Sequence, residues 1–465
     1  MGLFREYDIR GIVGSELTEA IAEQIGRAYG TLAVRAGAKA VAVGRDGRTS
    51  AMQMRAALLK GLTGCGLDVV DVGVCPTPLL YYSLFTLPVG GGVMITASHN
   101  PPEYNGFKLC LGQDSMHGEA IQSLKADIER RQFATGKGSV SEHPIIPDYM
   151  GYIKQSFGHV KADHLHVVVD CGNGMGGPVG PAALRLLGCR VTGMYEEIDG
   201  RFPNHDPDPT VTANLQDLIR TVRETKADIG IAYDGDADRI GAVDEQGNIL
   251  WGDRLLVLYA RDILARKPGS TIISEVKASQ SLYNDIGRKG GRPIMWKTGH
   301  SLIKAKMKEE KAALAGEMSG HMFFADRYFG YDDAIYASCR LIEILAAAKK
   351  PLSSLLADLP ATAVTPEIRV DCPDAVKFDL VKRVTANLTA RAKSKSSQPA
   401  GLAIKDVITI DGIRVIFEDG WGLIRASNTQ PALVLRCEAP SPDRLTAIKT
   451  FIEAELADAR RSLGV

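Results

Sequence analysis

The chain has 465 residues, 24% of them charged, and its 55 basic and 55 acidic side chains cancel. That balance excludes a whole-chain field for nucleic acid or an anionic membrane, so any anion site must be local. The length exceeds what one hydrophobic core supports and implies about three or four domains of ~100–200 residues.

Apolar, β-rich runs alternate with helical patterns through most of the chain: AVAVG at 40–44, DVVDVGV at 68–74, VGGGVMIT at 89–96, HVVVD at 166–170, DIGIAYD at 228–234 and STIISEV at 270–276. Such alternation predicts parallel α/β layers. ALLKGLTGCGLDVV, AALRLLGCRVTGMY and LYNDIGRKGGRPIMW share one pattern, a helix ending near glycine and then an apolar strand. They hint at three related α/β units. The C-terminal part reads instead as α+β. AVKFDLVKRVTANLTARA predicts a helix, VITIDGIRVIFEDGWGLIRAS two strand runs parted by turn signals, and LVLRCEA another strand. A last helix places Leu445, Ile448, Ile452, Leu456 and Leu463 on one face. Polar stretches at 141–148, 245–248 and 359–367 are the candidate boundaries.

Eight cysteines are scattered without a CxxC pair or metal-like spacing, which reads as buried free thiols in a reducing compartment. The opening MGLFREYDIRG is charged where a signal peptide needs an apolar core, and no apolar stretch is long enough for a bilayer. The expectation is a cytoplasmic protein with no membrane partner.

Four loops carry chemistry-bearing residues. ITASHNPPEYNGFK at 95–108 sets Ser98 and His99 side by side on a turn, with Asn100 and Lys108 nearby. No GxSxG elbow surrounds Ser98, and adjacent side chains need not point the same way, which argues against a serine-hydrolase pair. Ser98 is left as a nucleophile, a phosphoryl carrier or a cap. In AYDGDADRI, Asp234, Asp236 and Asp238 alternate after a strand. Three close carboxylates repel one another unless a cation holds them, and hard oxygen ligands suit Mg²⁺. An EF-hand would match these positions and Glu245, but Arg239 stands where its turning glycine belongs and IGAV behind it reads as a strand. GEMSGH at 316–321 offers Glu317 and Ser319 as compact partners for sugar hydroxyls, among ordinary loop residues. RASNTQP at 425–431 joins the planar fork of Arg425 to the short donors of Ser427, Asn428 and Thr429, a set suited to phosphate or simply to a capped turn.

With YDIRG at 7–11 and KTGHS at 297–301 these loops fall in one order along the chain, and in that order they resemble the α-D-phosphohexomutase superfamily, within it the bacterial phosphomannomutase/phosphoglucomutase group. The resemblance implies three similar α/β domains with mixed sheets plus a C-terminal α+β domain around a central cleft. The expected spans are 1–146 for the phosphoserine domain, 147–248 for the metal domain, 249–362 for the sugar-recognition domain and 363–465 for the phosphate-binding domain. It implies phosphoserine at Ser98, Mg²⁺ on Asp234, Asp236 and Asp238 beside the serine's phosphate, and Lys108 and Arg239 at the reacting phosphate. Glu317 and Ser319 would hold the sugar, and Arg425, Ser427, Asn428 and Thr429 the distal phosphate. Tyr7, Arg10, Lys277 and His300 would complete the cleft, and Lys108 or His321 would move protons.

The implied reaction interconverts 1- and 6-phosphates of mannose or glucose through a hexose 1,6-bisphosphate. The implied partners are small hexose phosphates, and the chain is expected to be a monomer. Glucosamine mutases of the superfamily usually carry GEQSGH, whereas Met318 stands here, which favours glucose and mannose phosphates over glucosamine. A sugar phosphatase and a non-catalytic sensor are the further alternatives. One departure bears on geometry: the metal loop usually reads DGDGDR, and Ala237 replaces its middle glycine. Alanine resists positive φ, so this turn must avoid that region or carry strain.

Overall fold

The strands Gly91–Ile95, His166–Asp170, Ile229–Tyr233 and Thr271–Glu275 are buried at every position. Helices cover both faces of such strands, so their sequences run apolar without alternating polar residues. They lie at the centres of three sheets in the computed structural model, which describes residues 2–393 and 402–464.

The first sheet runs in the order Ile9–Ile12, Tyr104–Leu111, Gly91–Ile95, Ala40–Arg45, Asp68–Val74, Val140–Glu142. Its last four strands are parallel and its first two antiparallel. The second sheet sets Ile229–Tyr233 parallel to His166–Asp170 and antiparallel to Ile240–Asp244. The third repeats this arrangement, with Thr271–Glu275 parallel to Arg292–Trp296 and Leu314–Gly316, and Met322–Phe324 antiparallel at the edge. The expected repeat is present in all three. Helix Ala51–Thr63 leads to strand Asp68–Val74, Gly180–Leu186 to Arg190–Met194, and Gln280–Arg288 to Arg292–Trp296. Mixed sheets replace the purely parallel layers that alternation alone predicts, because each unit adds an antiparallel hairpin strand to its parallel ones.

The C-terminal sheet is antiparallel, packed under helices Asp374–Lys393 and Pro442–Leu463. Two sequence expectations change here. The stretch 406–426 forms three strands, Asp406–Ile408, Ile413–Ile416 and Trp421–Ala426, where two were expected. The first is short and half exposed, so it lacks the apolar signal of a longer strand. On the last helix Ile448, Ile452 and Leu456 are buried, but Leu463 lies in the final turn, 36% exposed. All eight cysteines are buried and free. Among the described residues no helix is long and apolar enough to cross a membrane.

Candidate active site

The loops singled out in the sequence leave the carboxyl ends of these central strands, where open α/β sheets present ligand sites. Ser98 follows Gly91–Ile95, the aspartates follow Ile229–Tyr233, Lys277 follows Thr271–Glu275 and Glu317 follows Leu314–Gly316. Three similar units thus aim equivalent loops at one cleft, and Arg425 on strand Trp421–Ala426 approaches from the fourth.

Ser98 and the aspartates meet although they lie in different sheets. Ser98 Oγ donates to Asp234 Oδ2 at 2.6 Å, and Arg239 Nη2 lies 3.3 Å from the same hydroxyl. The loops can approach because Gly235 has no side chain: a Cβ there would stand 2.3 Å from the Ser98 carbonyl oxygen. Ser98 itself has φ +50° and Ala237 φ +57°. The strained option is therefore the one Ala237 takes, at a cost of about 1–2 kcal/mol for an L-residue in this region. The turn at Ser98 nevertheless brings its neighbour close. His99 Nδ1 sits 3.2 Å from Ser98 Oγ. The pair is still no catalytic dyad, because Nδ1 also takes the Arg239 guanidinium while the serine proton goes to Asp234.

Asp234, Asp236 and Asp238 are fully buried and their oxygens cluster within 4.8 Å. Burial and its two neighbours push Asp234 well above the usual carboxylate range. Burial acts the same way on Asp236, but Lys108 overrides it and holds that group ionised. Lys108 Nζ donates to Asp236 Oδ2 at 2.8 Å and contacts Asp238. Burial opposes the lysine's charge, yet the two aspartates overcome it and raise the ammonium's pKa. Thr77 donates to Asp236 Oδ2 at 2.5 Å. The other oxygens, Asp236 Oδ1 and Asp238 Oδ1, are buried with no hydrogen-bond partner. Repelling carboxylates with orphaned oxygens and no nitrogen or sulfur donors fit a small hard divalent cation.

His321 comes from the sugar loop to the edge of this cluster, its Nδ1 3.6 Å from Asp238 Oδ1 and 2.9 Å from Asp332 Oδ2. Burial disfavours its charge, but Asp238 and Asp332 outweigh that and raise its pKa. His300 stacks on it at 5.5 Å between ring centroids, and burial together with Lys304 keeps His300 neutral. Glu317 accepts the Gly299 N–H at 2.6 Å, and burial raises its pKa.

Two cavities open on either side of His99 and Arg239, which line both. The smaller, about 160 Å³, holds Ser98, Lys108, His321, His300, Tyr7 and Arg10. The larger, about 650 Å³, holds Lys277, Ser319, Met318 and Trp251. Glu317, Arg425, Ser427 and Asn428 line neither.

The expected anion nest at Arg425 is partly self-satisfied. Ser427 Oγ accepts the N–H groups of Thr429 and Gln430 at 3.3 and 3.1 Å, and Arg425 Nε is taken by Asp411 at 2.9 Å. Asn428 donates to the Tyr7 hydroxyl at 2.7 Å, and that hydroxyl donates to Thr298 O at 2.9 Å. This bridge ties the fourth unit to the first and third across the cleft. Lys277 Nζ is held by Glu367 at 3.0 Å.

The chain matches the phosphoglucomutase/phosphomannomutase α/β/α domains I, II and III over residues 1–135, 147–247 and 251–363, and the C-terminal domain over residues 367–455. It belongs to the phosphoglucomutase/phosphomannomutase family. The phosphomannomutase/phosphoglucomutase of Pseudomonas aeruginosa is 46% identical over 463 residues, covering 100% of this chain and 97% of the relative. The phosphoglucomutase of Neisseria gonorrhoeae is 46% identical over 455 residues, covering 97% and 96%. A probable phosphoglucosamine mutase of Methanopyrus kandleri stands further off, 37% identical over 447 residues, 95% of this chain and 94% of that one. Among solved structures, a phosphoglucomutase/phosphomannomutase family protein from Burkholderia thailandensis aligns with TM-score 0.90 at 42% identity, covering 98% of this chain and 97% of that one.

Sequence reading missed the residue that holds the Ser98 loop in place. Arg48 is almost fully buried and its guanidinium donates to four carbonyls of that loop, Ser98 and Asn100 at 2.8 and 2.6 Å, Pro101 and Tyr104 at 2.7 and 3.0 Å. Asp46 balances its charge and Phe202 covers it at 5.2 Å. Arg10 adds bonds to Ala97 O and Asn100 Oδ1 at 3.1 and 2.9 Å. Asp332, the partner of His321, was also missed. Its only sequence trace is the doubled aspartate of YDDA before helix Ala334–Ala348, which reads as an N-cap.

Proposed function

We propose that this chain is a phosphohexomutase that moves a phosphoryl group reversibly between the 1- and 6-positions of glucose and mannose phosphates, with phosphoserine at Ser98 and a hexose 1,6-bisphosphate intermediate. The observation that carries this reading is the convergence of Ser98, three buried carboxylates, Lys108 and Arg239 on one point, within a chain whose full-length relatives bear both activities in their names. We assign the phosphoserine, metal, sugar-recognition and phosphate-binding domains to 1–146, 147–248, 249–362 and 363–465, because each span carries the corresponding loop.

In this reading Ser98 donates its phosphoryl group to the free hydroxyl of a hexose monophosphate, and its Oγ leaves as the hydroxyl oxygen attacks. The bisphosphate turns round, and its other phosphate returns to Ser98. Asp234, Asp236 and Asp238 would hold Mg²⁺, which supplies positive charge for the equatorial oxygens of the transferring group. Arg239 and Lys108 supply fixed charge from the protein. Lys108 is pinned as an ammonium by two aspartates, whereas His321 has a titratable ring with Asp332 behind it. His321 is therefore the better proton carrier for the sugar hydroxyl, and Lys108 the better electrostatic clamp. Glu317 and Ser319 would grip the sugar hydroxyls in either orientation. Arg425, Ser427, Asn428 and Thr429 would hold whichever phosphate is not reacting, with Tyr7, Arg10, Lys277 and His300 completing the walls. Met318 in the larger cavity supports glucose and mannose over glucosamine phosphates. We place the enzyme in the cytoplasm as a monomer, a setting consistent with its eight free thiols.

Incubation with mannose 1-phosphate and a trace of glucose 1,6-bisphosphate tests the reading. Mannose 6-phosphate should accumulate, whereas free phosphate without it would identify a phosphatase. Ser98→Ala should fold, bind substrate and lose turnover by about a thousandfold or more, as removal of a covalent nucleophile does. Near wild-type turnover would refute the phosphoserine role.

A further inference from the structure

A second cluster of ligand-type side chains adjoins the three aspartates. Three buried polar atoms without hydrogen-bond partners, Asp238 Oδ1, His321 Nδ1 and Asp332 Oδ2, face one another within 4.8 Å. Both aspartates are completely buried. Each has a cation on its other oxygen: Lys108 holds Asp238 Oδ2, and Lys304 holds Asp332 Oδ1 at 3.1 Å. The inner oxygens are left aimed at the imidazole nitrogen. Asp332 and His321 stand at ion-pair distance, 2.9 Å, and none of the three atoms has a hydrogen-bond partner.

The donor set differs from that of the neighbouring aspartates. Two carboxylate oxygens and one imidazole nitrogen suit a borderline cation, whereas an all-carboxylate cluster suits a hard one. Ligands of a tetrahedral zinc at bonds of about 2.0–2.1 Å stand about 3.3 Å apart. The observed spacings of 3.6 Å for Asp238 to His321 and 2.9 Å for Asp332 to His321 straddle that value. His300 Nδ1, 4.0 Å from Asp332 Oδ2, lies where a small ring movement would add a fourth ligand.

We propose that Asp238, His321 and Asp332 form a second, inhibitory divalent site selective for zinc, with Asp238 Oδ1 common to it and the magnesium site. The proposal rests on the reading of Asp234, Asp236 and Asp238 as that site. Zinc here would occupy the imidazole nitrogen that faces Asp332 and remove His321 from proton transfer. It would also draw charge from Asp238, so inhibition would persist under saturating magnesium instead of being relieved by it.

Protein saturated with Mg²⁺ is titrated with Zn²⁺, with bound metals counted by mass spectrometry and zinc located by anomalous diffraction at its absorption edge. The expected result is one zinc per chain beside retained magnesium, its anomalous peak between Asp238, His321 and Asp332, and turnover falling in step with occupancy. His321→Gln and Asp332→Asn should each weaken zinc binding at least about tenfold while leaving magnesium binding in place. Zinc that simply displaces magnesium, one metal for one, or zinc bound equally well by His321→Gln, would overturn the second site and leave the magnesium reading intact. Failure of magnesium itself to bind would instead count against the proposed function. The anomalous peak in unmodified protein decides the matter even where a variant does not fold.

Discussion

At the scale of single residues, the Ser98 loop shows what a hydroxyl on a strained turn needs behind it. Ser98 sits at φ +50°, and a strained turn persists only where its surroundings over-determine it. Arg48 supplies much of that constraint, since one guanidinium satisfies four carbonyls of the loop and is itself neutralised by Asp46. Removing it leaves a buried aspartate uncompensated and four acceptors short of donors. Arg48→Gln should destabilise the protein by about 3–5 kcal/mol in urea unfolding. In the surviving folded fraction, turnover should fall more than substrate affinity. Unchanged kcat in that fraction would mean that other contacts hold the loop. Arg48 left no trace in the sequence because, Asp46 apart, its guanidinium donates only to carbonyl oxygens about fifty residues away, and backbone acceptors carry no residue identity. The direction of His99 was hidden for a related reason: it follows a residue with positive φ, Ser98, which a serine does not advertise.

At the scale of elements, legibility followed burial. Fully buried central strands such as Ile229–Tyr233 declared themselves through unbroken apolar runs, and the charged loops at their ends stood out against them. Asp406–Ile408, exposed or half exposed throughout, carried no such signal. The loop between strand Arg190–Met194 and helix Gln216–Thr225 carries a pH-dependent contact. His205 Nε2 lies 3.0 Å from Asp170 Oδ2 at the end of strand His166–Asp170. Burial lowers the pKa of His205, but the bond to Asp170 outweighs it and the net shift is upward. The folded state therefore binds this proton more tightly than the unfolded chain. The contribution is present in full below the unfolded histidine pKa and disappears as pH rises through the elevated folded value. Unfolding free energy should accordingly fall across neutral pH, and His205→Gln should flatten that slope. An identical slope in the variant would assign it to other groups.

At the scale of the whole molecule, four units contribute to one cleft, and the polar bridge from Asn428 through Tyr7 to Thr298 spans three of them. A bisphosphate that must turn between two transfers needs the cleft held shut while it does so. Weakening the bridge should let the intermediate escape. Asn428→Ala is expected to release more bisphosphate per turnover and to require more of it in the medium to sustain activity. Release at the wild-type level would show that closure depends on other contacts. The cleft explains why individually ambiguous loops became informative together: each occupies the same end of its own sheet, so they line one site. Contacts that hold units together, such as those of Glu367 with Lys277, join residues whose pairing only the assembled cleft creates.

The central claim, that Ser98 carries the phosphoryl group, is tested most directly by intact-protein mass spectrometry after exposure to glucose 1,6-bisphosphate, with the modified position mapped by peptide fragmentation. The protein should gain one phosphoryl group, located on Ser98, and lose it on addition of hexose monophosphate as bisphosphate forms. An enzyme that turns over while remaining unmodified, or modified elsewhere, would contradict it.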